Sequence, residues 1–331
     1  MKNKNILLFI GALLGWMICL GSNLFAQNYE AKVTYHLVDD SNRPLVNFPY
    51  GMGAVIINGV TTTAPDVYGL TDQNGKITLT CLAATGPLNS GSKPGFPGYY
   101  QSYYETRITN AISGKWQPWN PTVEVVVKPI LNPIPMYAKT VYASSGYYMT
   151  IPATNTPVGF DLEAGDWVAP YGKGSVSDFI FTMQIKTPYG RMTQPYDVIW
   201  TLSFSNKGDG VQSVLVPKNV GSAFRLPRLA PETGYQPTLV QEISYDGKQW
   251  KKGAVGEDQN YFFRVRTVQD DQGNIKSALY GKIAGPIECA QIGRILFTYY
   301  LNPTPNDQNM EFDPKKNLFK NLSDLQQVNA P

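Results

Sequence analysis

The strongest constraint in this chain is a period of two. In the stretch EAKVTYHLV, Ala31, Val33, Tyr35 and Leu37 fall on one side and Lys32, Thr34 and His36 on the other. Successive side chains of a strand point to opposite faces, so this pattern makes a half-buried strand. The alternation returns in SDFIFTMQIKT, where Phe179, Phe181, Met183 and Ile185 share a face. It returns again in YDVIWTLSFSN with Val198, Trp200, Leu202 and Phe204. No long stretch carries the period of an amphipathic helix. The expected fold class is all-β.

Punctuation sets the order of the strands. DDSNRPL is a turn, and GAVIING is a buried strand bounded by glycines. LTDQNGKITLT is a turn feeding a strand, with Asn74-Gly75 read as a type I′ hairpin turn. GPLNSGSKPGFPG (86–98) is a loop; YYQSYYETRI (99–108) and TVEVVVK (122–128) are strands. In KPILNPIPMYAK, Pro129, Pro133 and Pro135 cannot donate to a sheet ladder. This segment, 129–138, is read as a linker between a first β-sandwich over 27–128 and a second over 139–301. The second half continues with TLVQEISYDGKQW, NYFFRVRTVQDD, NIKSALYGKI and RILFTYYLN, and the loop TPYGRMTQP joins two of its strands as a hairpin. Strands at this spacing with Gly, Asp and Asn turns are the pattern of a sandwich. Residues 302–331 are polar and Asn-rich, and NLFKNLSDLQQ is read as one short helix or an irregular surface segment.

The first residues address compartment. Lys2 and Lys4 precede an uncharged apolar run from Ile6 to Leu20, and Ala26 is a plausible cleavage point. Residues 1–26 are therefore expected to be a secretory signal peptide. The alternative is an uncleaved anchor, because Leu24 stands where a small residue is usual. Cys19 follows Trp16-Met17-Ile18, which is not a lipidation context. The full chain carries 28 basic and 25 acidic residues, and removing 1–26 takes two lysines and no acids. That near-balance does not point to nucleic acid or an anionic membrane. A secreted, periplasmic or cell-surface location is expected, with no membrane insertion once the signal is removed. Cys81 and Cys289 are then either two buried thiols or one interdomain bridge.

Two stretches resemble known modules. VDDSNRPLVN and GLTDQNGKITLT resemble the carboxypeptidase-regulatory-like, transthyretin-like superfamily through Asp40, Pro44, Leu45, Thr71, Asp72, Gly75, Ile77 and Leu79. The resemblance covers about 29–128 and implies a prealbumin-like sandwich serving as a spacer, surface module or adhesin part. ISYDGKQWKKGAVGEDQNYFFRVRTVQDDQGNIKSALYGKI resembles the last strands of a bacterial fibronectin type III-like, immunoglobulin-like sandwich. Ser244, Asp246, Gly247, Trp250, Tyr261, Phe263, Arg264, Val265, Gly273, Asn274 and Ser277 carry it. The resemblance makes Tyr261 the corner tyrosine; AVGEDQN stands where that family has Leu-x-Pro-Gly-Thr. Across its whole length the chain resembles secreted bacterial proteins, a resemblance that implies a compartment and no particular activity.

Chemistry is sparse. His36 is the only histidine and lies on the polar side of its strand, so a Ser-His-Asp or Cys-His device has one residue to draw on. One histidine and two distant cysteines do not make a zinc site. Asp161, Glu163 and Asp166 in FDLEAGDW offer paired carboxylates, with Trp167 beside them to stack on a sugar. The same pattern reads equally as a solvated strand end. Asp72 and Asn74, with Asp39, Asp40, Asp270, Asp271 and Asn274 in other turns, offer oxygen to calcium. However, a calcium loop with Gly75 at position 6 would begin at Leu70 and end at Cys81. The main binding candidates are Tyr99, Tyr100, Tyr103, Tyr104, Trp116 and Trp119, rings with polar tips that suit sugars and protein partners. Core packing is the competing account. The expected function is that of a non-enzymatic structural or binding protein of the cell envelope, with no cofactor and a glycan or an envelope protein as partner. A carbohydrate-binding or carbohydrate-active accessory protein and a subunit of a surface fibre or layer are the alternatives.

Overall fold

The computed structural model describes residues 27–54, 56–58, 61–63, 66–84, 88–142, 149–187, 195–217, 220–252, 256–289 and 293–331. The signal-peptide reading of 1–26 and most of the loop TPYGRMTQP lie outside them. The protein is all-β. In its first part, β1 (Tyr29–Val38), β2 (Pro49–Gly53), β3 (Ile56–Asn58), β4 (Thr61–Thr63), β5 (Asp66–Leu70) and β6 (Lys76–Ala83) are followed by five more strands. These are β7 (Leu88–Ser92), β8 (Ser102–Thr106), β9 (Asn110–Ile112), β10 (Lys115–Gln117) and β11 (Thr122–Val126). One sheet is built on β1, which pairs antiparallel with β6 and parallel with β11 and β10. The other runs β8-β7-β2-β5. Ala31, Val33, Tyr35 and Leu37 meet Tyr50, Met52, Ile77 and Leu79 in one core. The period of two thus puts the predicted face inward. GAVIING is not one strand: β2 ends at Gly53, and β3 pairs separately with β4.

Three turns share one construction. In Asp39–Arg43, Asp72–Lys76 and Asp270–Asn274, the first Asp N–H donates to the fifth carbonyl and the fourth N–H donates to the first carbonyl. The Asp carboxylate accepts the third and fifth N–H groups in each. The fourth residue takes positive φ: Asn42 at 60°, Gly75 at 70°, Gly273 at 86°. The type I′ reading of Asn74-Gly75 is therefore corrected, since Asn74 does not share the positive φ. Nor is the turn a hairpin, because β5 and β6 belong to different sheets. A Cβ on Gly75 would sit 2.5 Å from the Leu37 carbonyl oxygen, so glycine is required there twice over.

The second part adds β12 (Tyr137–Thr140), β13 (Met149–Thr150), β14 (Val158–Asp161), β15 (Asp166–Trp167), β16 (Phe179–Thr187), β17 (Tyr196–Ser203) and β18 (Gly210–Leu215). Then come β19 (Val220–Ser222), β20 (Thr238–Tyr245), β21 (Trp250–Lys252), β22 (Gln259–Gln269) and β23 (Ile275–Ile283). The last strands are β24 (Glu288–Cys289), β25 (Arg294–Leu296) and β26 (Thr298–Asn302). Two sheets face each other, β15-β14-β16-β17-β20-β21 and β12-β26-β23-β22-β18. Phe160, Phe179, Phe181, Trp200, Phe263 and Tyr299 fill the space between them. The second sheet is covered on its other face as well. Phe262, Ala278 and Tyr280 pack under Leu226, Ala230 and Met310, and Tyr300 packs under Phe312 and Val328. This explains why NYFFRV does not alternate: a strand buried on both faces reads as a continuous run. The covering layer is irregular chain, including the C-terminal tail. NLFKNLSDLQQ forms no helix; the one helical turn nearby is Pro314–Lys316. Residues 317–327 are the irregular surface segment of the second reading, with Gln326 alone buried, whereas Met310, Glu311 and Phe312 ahead of them are buried.

The two sandwiches share a strand. β19 comes from the second half but pairs with β8, matching Val220 to Tyr104 and Ser222 to Ser102. It becomes the outer strand of the first half's sheet. The proline-containing segment 129–138 is also tied down. Tyr99 bridges Pro129, Leu131 and Asn132 donate to Glu311, and Ile134 bridges Phe312.

Candidate functional site

The six sequence-selected aromatics are not brought to one surface. Tyr99 lies edge-on to Phe48, with centroids 5.2 Å apart, at the margin of the first core. Tyr104 packs on the same core from β8, and Tyr103 faces the opposite way. Trp116 donates its indole N–H to the Ala83 carbonyl at 2.8 Å and meets Tyr29 edge to face. Trp119 has the ammonium groups of Lys115 and Lys32 at 4.6 and 5.9 Å from its ring centre. Tyr100 points into the junction between the sandwiches.

That junction is the densest polar site involving these residues. Phe224 is fully buried two residues after β19 and its ring lies tilted against that of Tyr100, with centroids 5.4 Å apart. Around its ring lie Lys282, Lys128 and Arg228, at 4.6, 4.9 and 5.4 Å. A ring face attracts cations, and exclusion of water strengthens the attraction. Glu311 is the central anion. It accepts the Tyr100 hydroxyl at 2.8 Å and the Leu131 and Asn132 N–H groups, and it pairs with Arg228 at 3.1 Å. Arg228 also reaches Asp40 at 2.8 Å and the Pro129 carbonyl. Lys128 donates to the Arg225 and Leu226 carbonyls, and Lys282 to that of Met310. Burial, reinforced by Arg228, pushes the Lys128 ammonium down to about 8. Burial, reinforced by Lys128, pushes Lys282 down to about 7. Burial alone would raise Glu311, but its N–H donors, Tyr100 and Arg228 outweigh it and hold the carboxyl below its ordinary value.

The carboxylates of FDLEAGDW form a second polar site around Arg266. β14 ends at Asp161, so Asp161 and Glu163 do not share a strand face. Asp161 accepts the N–H groups of Glu163, Ala164, Ser175 and Val176. These bonds overcome the effect of burial and keep its carboxyl low. Asp178 takes Arg266 in a two-pronged pair at 2.8 and 3.0 Å and accepts the Leu162 N–H. Burial nevertheless pushes Asp178 above its ordinary value. Glu163 completes the set at 3.0 Å from Arg266. Arg266 itself sits at φ 55° in a break of the β22–β23 register, which turns its side chain toward the acids. Trp167 is only 4% exposed and packs edge-on to Phe160 and Phe181, so its reading as a sugar-stacking ring is corrected to core. Asp166 spends its carboxylate on the N–H groups of Trp167 and Lys173.

Asp72, Asp39 and Asp270 spend theirs inside the shared turn, which is what the calcium-like pattern encodes. Asn274 donates its amide to Asp270. Among the described residues no cluster of three metal-ligating side chains forms. His36 faces Glu124 across β1 and β11 at 3.6 Å. Cys81 and Cys289 are free and buried, and burial pushes the Cys81 thiol up to about 11. Among the described residues no helix is long and apolar enough to cross a membrane.

Sequence reasoning missed Phe224, Lys282, Arg228 and Glu311. They come from separate segments that carry no motif. One local cue existed: a charged residue between two apolar ones in Met310-Glu311-Phe312, in a tail otherwise polar. The fold defines an all-β protein of two joined sandwiches with a covering third layer. Neither protein-family models nor curated protein sequences give a match to the chain.

Proposed function

We propose that this is a non-enzymatic structural or binding protein of the cell envelope, in which two sandwiches act as one stiff unit. The junction carries this reading. A strand exchanged onto β8 and a buried network on Glu311 hold the halves at several points. A spacer or presenting module needs such a fixed joint, because small interdomain interfaces otherwise leave domains free to move. The carboxylates offered for catalysis are committed to backbone N–H groups and to Arg266, which also supports the reading. The apolar run at 6–20 supports an envelope destination.

The pairing order supports the fibronectin type III-like assignment of the second half. β16-β17-β20 form one sheet and β18-β22-β23 the other, so the chain crosses between sheets as in immunoglobulin-type sandwiches. Tyr261 departs from that family's corner, since its hydroxyl meets the Gln241 side chain at 3.4 Å.

The test is fractionation of the producing cells together with assay of the purified protein on polysaccharide, peptide and ester panels. The expected result is an envelope fraction and no turnover. Turnover lost in Asp161→Asn or Glu163→Gln would overturn the proposal.

A further inference from the structure

The outward face of the sheet β19-β8-β7-β2-β5 has an unusual cross-strand row. Register places Tyr68 opposite Gly51, Gly51 opposite Gly91, Gly91 opposite Tyr103 and Tyr103 opposite Gly221. The inward neighbours Tyr50, Met52, Ser90 and Ser102 are buried, so the row lies on the other side. Tyr68 is 48% exposed and Tyr103 36% exposed. The Tyr68 ring lies over Gly51, where a Cβ would collide with it. Gly91 lets the backbone approach the Ser102 carbonyl, which a Cβ would meet at 2.6 Å. The result is a floor without a side chain at Gly91, with Tyr68 lying over Gly51 on one side of it and Tyr103 on the other. The tyrosine backbones stand about 14 Å apart, the three strand spacings from β5 to β8. Two residues along, on the same face, Asn89 pairs with Glu105 across the strands, and Arg107 neutralises Glu105 at 3.5 Å.

We propose that this face binds a neutral, extended glycan. The C–H face of a sugar ring stacks on an aromatic ring, and its hydroxyls bond to amides and carboxylates at the side. The floor is too flat to seat the projecting aliphatic side chains of a peptide. Strand addition beside β8 is closed because β19 already occupies that edge. Arg107 offsets Glu105, which suits an uncharged chain better than an acidic one. Tyr103 and Tyr68 are the stacking residues, and Asn89 and Glu105 bond hydroxyls. This goes beyond the structural reading and does not depend on the stiffness of the junction.

The experiment is titration of the full chain with neutral β-linked and α-linked hexasaccharides of glucose, mannose and xylose, followed by calorimetry. Binding to at least one is expected. Tyr103→Ala and Tyr68→Ala should each weaken it about tenfold or more. Trp250→Ala, on an exposed ring elsewhere, should leave it unchanged. If Tyr68→Ala unfolds the sheet by uncovering Gly51, Tyr103→Ala and Asn89→Ala decide the matter. Failure of the wild type to bind any of these sugars overturns the proposal, as does unchanged binding by Tyr103→Ala. A dimer in sedimentation that Tyr103→Ala dissolves would also overturn it, by making a second copy the occupant.

Discussion

The two buried charge clusters are near mirror images. Around Arg266, one cation is held by three carboxylates, those of Asp178, Glu163 and Asp161. At the junction, one deeply buried carboxylate, Glu311, sits among three cations gathered on the ring of Phe224. The Arg266 cluster has many backbone N–H donors to absorb its surplus negative charge. The junction has an aromatic face and carbonyls to absorb its surplus positive charge. The first cluster ties β14, β16 and β22 within one sandwich; the second ties the sandwiches together. Their difference teaches where each is vulnerable. A carboxylate left alone can take up a proton, whereas an arginine left alone stays charged.

The largest effect should follow from Glu311→Ala. It takes one of Arg228's two carboxylates and leaves the Tyr100 hydroxyl and the Leu131 and Asn132 N–H groups without their acceptor, and should cost about 3–5 kcal/mol, read by urea unfolding. Arg266→Met should cost less, about 1–3 kcal/mol, because burial already favours a protonated Asp178. Equal costs would break the comparison.

Next is pH. Lys282 and Lys128 are depressed in the folded state, to about 7 and about 8, from an ordinary 10.5. Between those values the unfolded chain binds more protons, so stability should rise with pH. The slope is up to about 1.4 kcal/mol per pH unit for each lysine. Below about 7 this contribution is flat. On the acid side, Asp161 and Glu311 are held below their ordinary values of 3.8 and 4.5. Their contribution is complete above those values and is lost as pH falls through the folded ones. Unfolding midpoints from pH 6.5 to 9.5 check the alkaline arm, where a flat profile would contradict it. Lys282→Met should have the smallest effect at pH 7, within about 1 kcal/mol of wild type, because it replaces a costly buried charge with apolar volume. It should also remove much of the alkaline slope.

The sequence and the structure agree where a strand has one wet face. β1, β6, β16 and β17 alternate, and their inward residues were legible from that alone. β22 was legible as a strand but not as one buried twice, because its covering layer is irregular chain with no period. β19 was not legible at all: Val220, Gly221 and Ser222 carry no pattern, and their partner lies more than a hundred residues away. The Asp-x-x-Gly turns were legible as turns. That Asp72–Lys76 joins different sheets while Asp270–Asn274 closes the β22–β23 hairpin was not, since the same five residues serve a corner or a hairpin alike. Of the aromatic candidates, Tyr103 enters the proposed face, while its counterpart Tyr68 stood in no aromatic run and gave no signal.

The most direct test of a single stiff unit is scanning calorimetry of the full chain beside Glu311→Gln. The wild type should unfold in one cooperative transition, and Glu311→Gln should separate it into two, with the first sandwich and the second melting apart. Two transitions already present in the wild type, unmoved by Glu311→Gln, would contradict the account.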